Sequence, residues 1–143
     1  MKYTFKIFVF FLAVWLLALP AQAAVFPNDP GFTTQVGQTD KQWALAKAGF
    51  MDAWEVSRGS VGNLIAIIDT GIDATHEDLQ SINFVEGYDF TKNQRILPRS
   101  NSDDNGHGTI IAGIIGATPD NEIGIAGVNW QVSLMALKAL DSK

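Results

Sequence analysis

One short apolar segment most constrains the fold of this chain. Leu64 to Ile68 is an unbroken aliphatic run that Asp69-Thr70-Gly71 ends. Such runs form strands covered on both faces, as in a parallel sheet. Gly108 to Gly116 is rich in small and branched residues and predicts a tightly packed helix, and Val132 to Leu140 predicts another buried strand. Strand, helix and strand in succession predict an α/β domain with a parallel sheet.

The remaining segments predict shorter elements around this unit. Asp40 to Arg58 is helical in character, and Gly49 in its middle indicates two short helices. Ile82 to Phe84 and Tyr88 to Phe90 are weaker strand candidates. Thr91 to Asp104 is polar and predicts a solvated surface loop. We therefore expect the core to form between the apolar segments, with the polar segment outside it.

The first 23 residues have the features of a secretory signal peptide. A short basic region precedes 13 apolar residues, Ile7 to Leu19, and Ala21-Gln22-Ala23 offers small residues where a signal peptidase cuts. Thirteen residues fall short of the roughly 20 that span a bilayer, so a membrane anchor is disfavoured. We expect residues 24–143 to be secreted, extracellular or periplasmic, without membrane contact after signal cleavage.

Charge and cysteine content narrow the possible partners. All 15 acidic residues but only 8 of the 10 Lys and Arg lie in residues 24–143, and no basic stripe is present. Nucleic-acid binding is therefore disfavoured. The sequence has no cysteine although it carries an export signal, so stability must come from the core or a metal and not from disulfides.

Two polar residues in this framework point to chemistry. Asp69 follows a predicted strand, and functional sites in α/β sheets lie at the carboxyl ends of strands. His107 lies between two glycines at the start of the predicted helix, and glycines allow another chain to approach closely, as a substrate cleft requires. Asp69 is a suitable partner for the imidazole, and the Thr70 hydroxyl is expected to donate to that carboxylate. The pair is a candidate for two members of an acyl-transfer triad, although Asp-Thr-Gly also makes a serviceable turn.

Around this pair the sequence resembles the subtilisin-like serine proteases. The motifs are Ile67-Ile68-Asp69-Thr70-Gly71-Ile72-Asp73, His76-Glu77-Asp78-Leu79 and Gly106-His107-Gly108-Thr109, and the similarity covers nearly all of residues 28 to 143. The resemblance implies an α/β, parallel-sheet, three-layer subtilisin-like fold, of which residues 24–143 are the N-terminal part. It also implies that Asp69 orients His107, the general base of a serine endopeptidase that acts on polypeptides and is monomeric when complete.

The nucleophilic serine of that family is not found in this sequence. The family places it in a Gly-Thr-Ser-Met-Ala motif, and none of the seven serines lies in such a setting. They are Ser57, Ser60, Ser81, Ser100, Ser102, Ser133 and Ser142. We therefore expect a fragment of a longer protease that is inactive alone, because the triad does not work without its nucleophile.

The resemblance further implies a structural calcium site. Three side chains and three backbone carbonyls correspond to the ligands of the family's strong site. The side chains are those of Asp29, Asp78 and Asn121, and the carbonyls are those near Thr118, Ile123 and Ile125. Calcium takes six to eight oxygen ligands of these kinds, and a bound ion would tie the N-terminal arm to the domain.

Two other interpretations stay open on the sequence alone. A truncated or catalytically dead relative would keep the fold only to bind peptides or partners. A dimeric aspartic protease would use Asp69-Thr70-Gly71 as its own motif, with two carboxylates sharing a site. The second alternative needs an all-β chain and leaves His107 without a role.

Overall fold

The structure is a computed structural model that describes residues 26–35, 37 and 41–142. The predicted signal segment, residues 1–23, lies outside the described residues. Among the residues that are described, no helix combines the length and the apolar character needed to cross a bilayer.

The described chain contains three short helices and four strands. The helices are α1 (Trp43–Lys47), α2 (Phe50–Val56) and α3 (His107–Gly116), and the strands are β1 (Gly59–Asp69), β2 (Asn83–Asp89), β3 (Gln94–Ile96) and β4 (Gln131–Lys138). A single 3-10 turn spans Glu77–Leu79. Gly49 separates α1 from α2 with a left-handed φ of 81°, so the prediction of two short helices is confirmed.

The strands form one mixed, mostly parallel sheet in the order β1-β4-β2-β3. β4 lies between β1 and β2 and pairs with both in parallel, so β1, α3 and β4 make the predicted crossover unit. The two weak strand candidates are parts of the single strand β2. β3 lies within the predicted surface loop, where it pairs antiparallel with the end of β2 and buries Ile96.

The core lies between one face of the sheet and α3. Ile67, Leu134 and Ala136 come from the sheet, and Ala112 is fully buried in the helix. A Cβ at Gly116 would lie 2.7 Å from the Val132 side chain, so the small residues of α3 let it pack closely on the sheet. This packing fixes α3, and therefore its first residues, relative to the ends of the strands.

The other face of β1 lacks a covering layer in the described part of the chain. Ile67 is 6% exposed, whereas Leu64 and Ile68 are 53% and 68% exposed. The prediction that this strand is covered on both faces is therefore wrong for the described residues. Side chains of a strand alternate between faces, and Ile67 lies on the face that packs against α3, in the same core cluster as Ala112.

Trp54 anchors α2 to the rest of the domain. Its side chain is 2% exposed, its Nε1 donates to the Val128 carbonyl at 2.9 Å, and its ring lies 5.3 Å from that of Trp130. Phe32 of the N-terminal arm contacts the same indole, with 6.0 Å between ring centroids. The aromatic cluster therefore holds both the arm and α2 against the loop that precedes β4.

Candidate active site

Asp69, the last residue of β1, is held in place by backbone hydrogen bonds. Its carbonyl accepts from the N–H groups of Ala139 and Leu140, just beyond β4. Its carboxylate accepts from the Thr70 N–H at 2.7 Å, and the side chain is only 14% exposed. The carboxylate is therefore positioned by the sheet and not by a flexible loop.

The imidazole of His107 lies directly against this carboxylate. Nδ1 is 2.9 Å from both Oδ1 and Oδ2 of Asp69, although 38 residues separate the two in sequence. The ring is 61% exposed, so its orientation depends on this contact and on the backbone more than on enclosing side chains. Nε2 lies on the opposite side of the ring from Asp69.

The electrostatics of Asp69 suit a partner for a base. Burial alone would raise the pKa of Asp69, but the hydrogen bonds from the Thr70 N–H and from His107 outweigh it and lower the pKa below 3.8. The carboxylate is therefore ionised at neutral pH. An anion on Nδ1 favours the tautomer with the proton on Nδ1, which leaves Nε2 able to accept another.

Gly108 lets α3 come this close to the end of β1. A Cβ at Gly108 would lie 2.0 Å from the Gly71 carbonyl oxygen and 3.3 Å from the Asp69 Cβ. The sequence suggested that the glycines beside His107 admit a substrate. For Gly108 the structure shows instead that the space is filled by the protein's own backbone.

A residue that the sequence assigned to a solvated loop joins the two halves of the site. Asp103 Oδ1 accepts from the Thr70 hydroxyl at 2.8 Å and from the N–H groups of Asn105 and Gly106. Its Oδ2 accepts from the N–H of Thr109 at 3.0 Å and from the Thr109 hydroxyl. Burial would raise the pKa of Asp103, but these bonds hold it far below its ordinary value, so the group is charged.

The same contacts refine the predicted role of Thr70. Its hydroxyl is predicted to donate to Asp69, but its closest partners are Asp103, to which it donates, and the Gly108 N–H, from which it accepts at 3.0 Å. The backbone N–H is the main Thr70 donor to Asp69, and the hydroxyl adds a smaller effect that lowers the pKa of that carboxyl. The Thr70 side chain therefore connects β1 to the start of α3.

Lys138, which carried no prediction, makes a second connection. It is the last residue of β4 and is 1% exposed. Its Nζ donates to the Thr70 carbonyl at 2.5 Å and to the Asp104 carboxylate at 2.7 Å. A buried ammonium needs such partners, and here they tie the ends of β1 and β4 to the segment before His107.

The predicted calcium side chains also meet, in a second cluster. Asp29 of the arm and Asp78 of the 3-10 turn are 3% and 4% exposed. Asn121 lies between them: its N–H approaches Asp29 Oδ1 at 3.4 Å, and its Nδ2 donates to Asp78 Oδ1 at 2.9 Å. The structure thus brings together three side chains that are far apart in sequence.

The three residues predicted to offer carbonyls border this cluster and contact it through their N–H groups. The Ile125 N–H donates to Asp78 Oδ2, the Ile123 N–H to Asn121 Oδ1, and the Thr118 N–H to the Asp78 carbonyl. Within the described residues no cationic side chain pairs with either carboxylate, and no group of three or more His, Cys, Asp or Glu side chains could hold a metal. A cation here would depend on amide and carbonyl oxygens as well.

Known proteins resemble this chain in sequence over the segment that contains Asp69 and His107. A sequence profile described as Subtilase family matches residues 60–143. The "Thermophilic serine proteinase" of Bacillus sp. (strain AK1) is 45% identical over 89 residues, which are 62% of this chain and 21% of that protein. "Thermitase" of Thermoactinomyces vulgaris is 39% identical over 116 residues, which are 81% of this chain and 37% of that protein.

Fold comparison gives the same result. The crystal structure of fervidolysin from Fervidobacterium pennivorans, "a keratinolytic enzyme related to subtilisin", matches with a TM-score of 0.62 and 30% identity, over 71% of this chain and 15% of its own. The chain therefore spans well under half the length of each of these proteins. The predicted α/β fold is confirmed, and it is not the all-β chain that an aspartic protease requires. With the profile matching more than half of its residues, the chain belongs to the subtilase family.

Proposed function

We propose that the complete protein is a serine endopeptidase to which this chain contributes the orienting acid, Asp69, and the general base, His107. The observation that carries the proposal is the contact of His107 Nδ1 with both oxygens of an ionised carboxylate, 2.9 Å from each. Family membership and a relative that is named a serine proteinase support it.

The geometry suits hydrolysis through an acyl-enzyme. As a serine hydroxyl attacks the carbonyl carbon of the substrate, His107 Nε2 takes the hydroxyl proton and then gives it to the leaving amine. Asp69 stays ionised and stabilises the imidazolium. A water molecule, activated by the same histidine, then releases the acyl group. The serine would come from another part of the complete protein, because none of the seven serines of this chain lies in the family's Gly-Thr-Ser-Met-Ala motif.

The test uses the complete protein, a fluorophosphonate label for reactive serines and a chromogenic peptide substrate. Wild type should be labelled and should cleave the peptide. His107→Ala should abolish both, and Asp69→Asn should lower kcat by about 10⁴-fold. Glu55→Gln, an exposed change on α2, is the control and should be neutral. An unlabelled wild-type protein would overturn the proposal and favour a relative that only binds peptides or partners.

We further propose that Asp29, Asp78 and Asn121, with the carbonyls of Thr118, Ile123 and Ile125, hold a structural calcium ion. Two nearly buried carboxylates held by N–H donors support this, since buried charges are normally paired or bound to a metal. An oxygen donor set suits calcium. The Asn121 amide would have to turn its oxygen towards Asp78 to act as a ligand. Bound calcium would supply positive charge that joins the arm to the domain.

Calcium dependence of the melting temperature tests this site. Chelation should lower the melting temperature, and added calcium should restore it, because an ion that binds only the folded state stabilises it. Asp78→Asn should remove the response, whereas Asp52→Asn on α2 should keep it. An unchanged melting temperature after exhaustive chelation would contradict the proposal.

Residues 1–23 are proposed to direct secretion and to be cleaved after Ala23. The basic start, the 13-residue apolar run and the small residues before the cut support this. N-terminal sequencing of protein from the culture medium should begin at Ala24. Protein that stays in the cell with residues 1–23 attached would show that the segment has another role.

A further inference from the structure

The two residues of the proposed catalytic pair come from segments that must be held in fixed register. Asp69 belongs to β1 and His107 to the first turn of α3. The exposed imidazole is not enclosed by side chains, so a small shift of the α3 start would move Nδ1 away from the carboxylate. Something must therefore fix the start of α3 to the end of β1.

Asp103 makes that connection with one side chain. It accepts five hydrogen bonds, and their donors lie on both segments. The Thr70 hydroxyl belongs to the segment of Asp69, whereas the Gly106 and Thr109 N–H groups flank His107 on both sides. The carboxylate also stands in for a helix cap, since Gly106 has no side chain to cap α3.

We propose that Asp103 is a positioning residue for the reaction, a role that rests on the serine-endopeptidase function proposed above. Its carboxylate sets the distance between Asp69 and His107 by joining Thr70 to the first turn of α3. It acts through the backbone of His107 and the side chain of Thr70, and does not touch the substrate.

An ionised carboxylate is required because of how the donors are arranged. Three of them point at Oδ1 and two at Oδ2, so both oxygens must be acceptors. In Asp103→Asn, either orientation of the amide turns its NH₂ group towards at least one backbone N–H, which cannot rotate away. The Asn side chain has nearly the same shape as Asp, but α3 would have to move to separate the NH₂ group from the backbone N–H that it faces.

The experiment compares Asp103→Asn with wild type in the complete protein, well below the melting temperature of each. A displacement of about 1 Å can cost about a hundredfold in rate, so kcat should fall by about that factor while KM changes little. The low-field NMR resonance of the His107 Nδ1 proton should shift or broaden, which a purely structural role would not cause. Asp52→Asn should change neither.

A folded Asp103→Asn variant with wild-type kcat and an unchanged Nδ1 proton resonance would overturn the proposal. If that variant does not fold, Thr70→Val decides, because it removes the hydroxyl link and keeps the Asp103 carboxylate. It should lower kcat by a smaller factor, and an unaffected kcat would also overturn the proposal. Failure of the wild type to react with fluorophosphonate would reject the protease function alone, since the proton resonance reports the positioning independently.

Discussion

At the scale of single residues, the site depends on charged groups kept ionised by hydrogen bonds. The pKa values of Asp69 and Asp103 are both lowered, because hydrogen bonds from N–H and O–H donors, and His107 beside Asp69, outweigh the opposing effect of burial. A carboxyl whose pKa is lower in the folded than in the unfolded state stabilises the fold while it is ionised. The acid side of the stability profile should therefore reflect these residues.

Asp103 should make the largest identifiable contribution to acid sensitivity. Its stabilising effect should be complete above its unfolded pKa, near 3.8, and should be lost as the pH falls further towards its folded value. Thermal melts from pH 7 to 2 should show a steep loss below about pH 4 for wild type. Asp103→Asn should have a lower melting temperature than wild type at pH 7, and its melting temperature should fall less than that of wild type below pH 4. Parallel profiles for the two proteins would contradict this assignment.

The sequence singled out Asp69 and His107 as candidate site residues because each stands in a short motif beside an apolar segment. It did not identify Asp103 or Lys138, because the contacts that connect them to the end of β1 are distant in sequence: Asp103 meets Thr70 across 33 residues and Lys138 meets it across 68. The other donors to Asp103 are local and belong to Asn105, Gly106 and Thr109. In the sequence Asp103 is one of several polar residues in a row. Only the fold shows that its two oxygens receive five donors.

At the scale of elements, the first turn of α3 must lack a side chain at Gly108, where it meets the segment that follows β1. Gly108 faces the Gly71 carbonyl at a distance that no Cβ tolerates, whereas a Cβ at Gly113 would meet Ile125 at an ordinary 3.7 Å. The same substitution at two positions of one helix therefore has opposite expected effects. Whether Gly→Ala stabilises or destabilises the protein therefore depends on what the added methyl group meets, more than on helix propensity.

Gly108→Ala should displace α3 and destabilise the protein by about 1–3 kcal/mol, as overpacking does. It should also lower kcat, because His107 precedes Gly108 in the same turn. Gly113→Ala should be neutral or stabilising by up to about 1 kcal/mol, since alanine favours the helix. Denaturant unfolding measures the change in stability of each variant, and peptide hydrolysis measures its kcat. Equal effects of the two substitutions would show that the close approach is not rigid.

The elements of the crossover unit were predictable, since β1, α3 and β4 have apolar patterns of the right length. β3 was not, because three residues carry too little pattern and its pairing depends on β2. The predicted two-sided burial of β1 failed for a related reason. Composition shows that a strand can be covered on both faces, but not which segment covers each face.

At the scale of the whole molecule, β1 is both an edge strand and half exposed. Among the described strands it pairs with β4 alone, and its outward residues include Leu64 and Ile68. An edge strand with exposed aliphatic side chains is prone to pair with another chain. The chain expressed by itself should therefore self-associate through this strand.

Ile68→Lys should reduce that self-association in a protein of residues 24–143. A charge on an exposed edge strand opposes pairing, and Ile68 is 68% exposed, so the fold should tolerate it. Sedimentation velocity should show oligomers for the parent chain and mainly monomer for the variant. Val56→Lys, an equivalent change on α2, is the control and should leave the oligomers intact. If the parent chain and Ile68→Lys had the same distribution of oligomers, the self-association would not involve this part of β1.

The buried ammonium of Lys138 has a consequence for how the molecule can be observed. An amine that is 1% exposed and bound to the Thr70 carbonyl is shielded from acylating reagents until the surrounding structure opens. Its rate of modification, followed by peptide mass spectrometry, therefore reports how often the strand ends separate from the segment before His107. Modification of this one lysine thus measures local opening beside the Asp69–His107 pair, in the native protein and without a substrate.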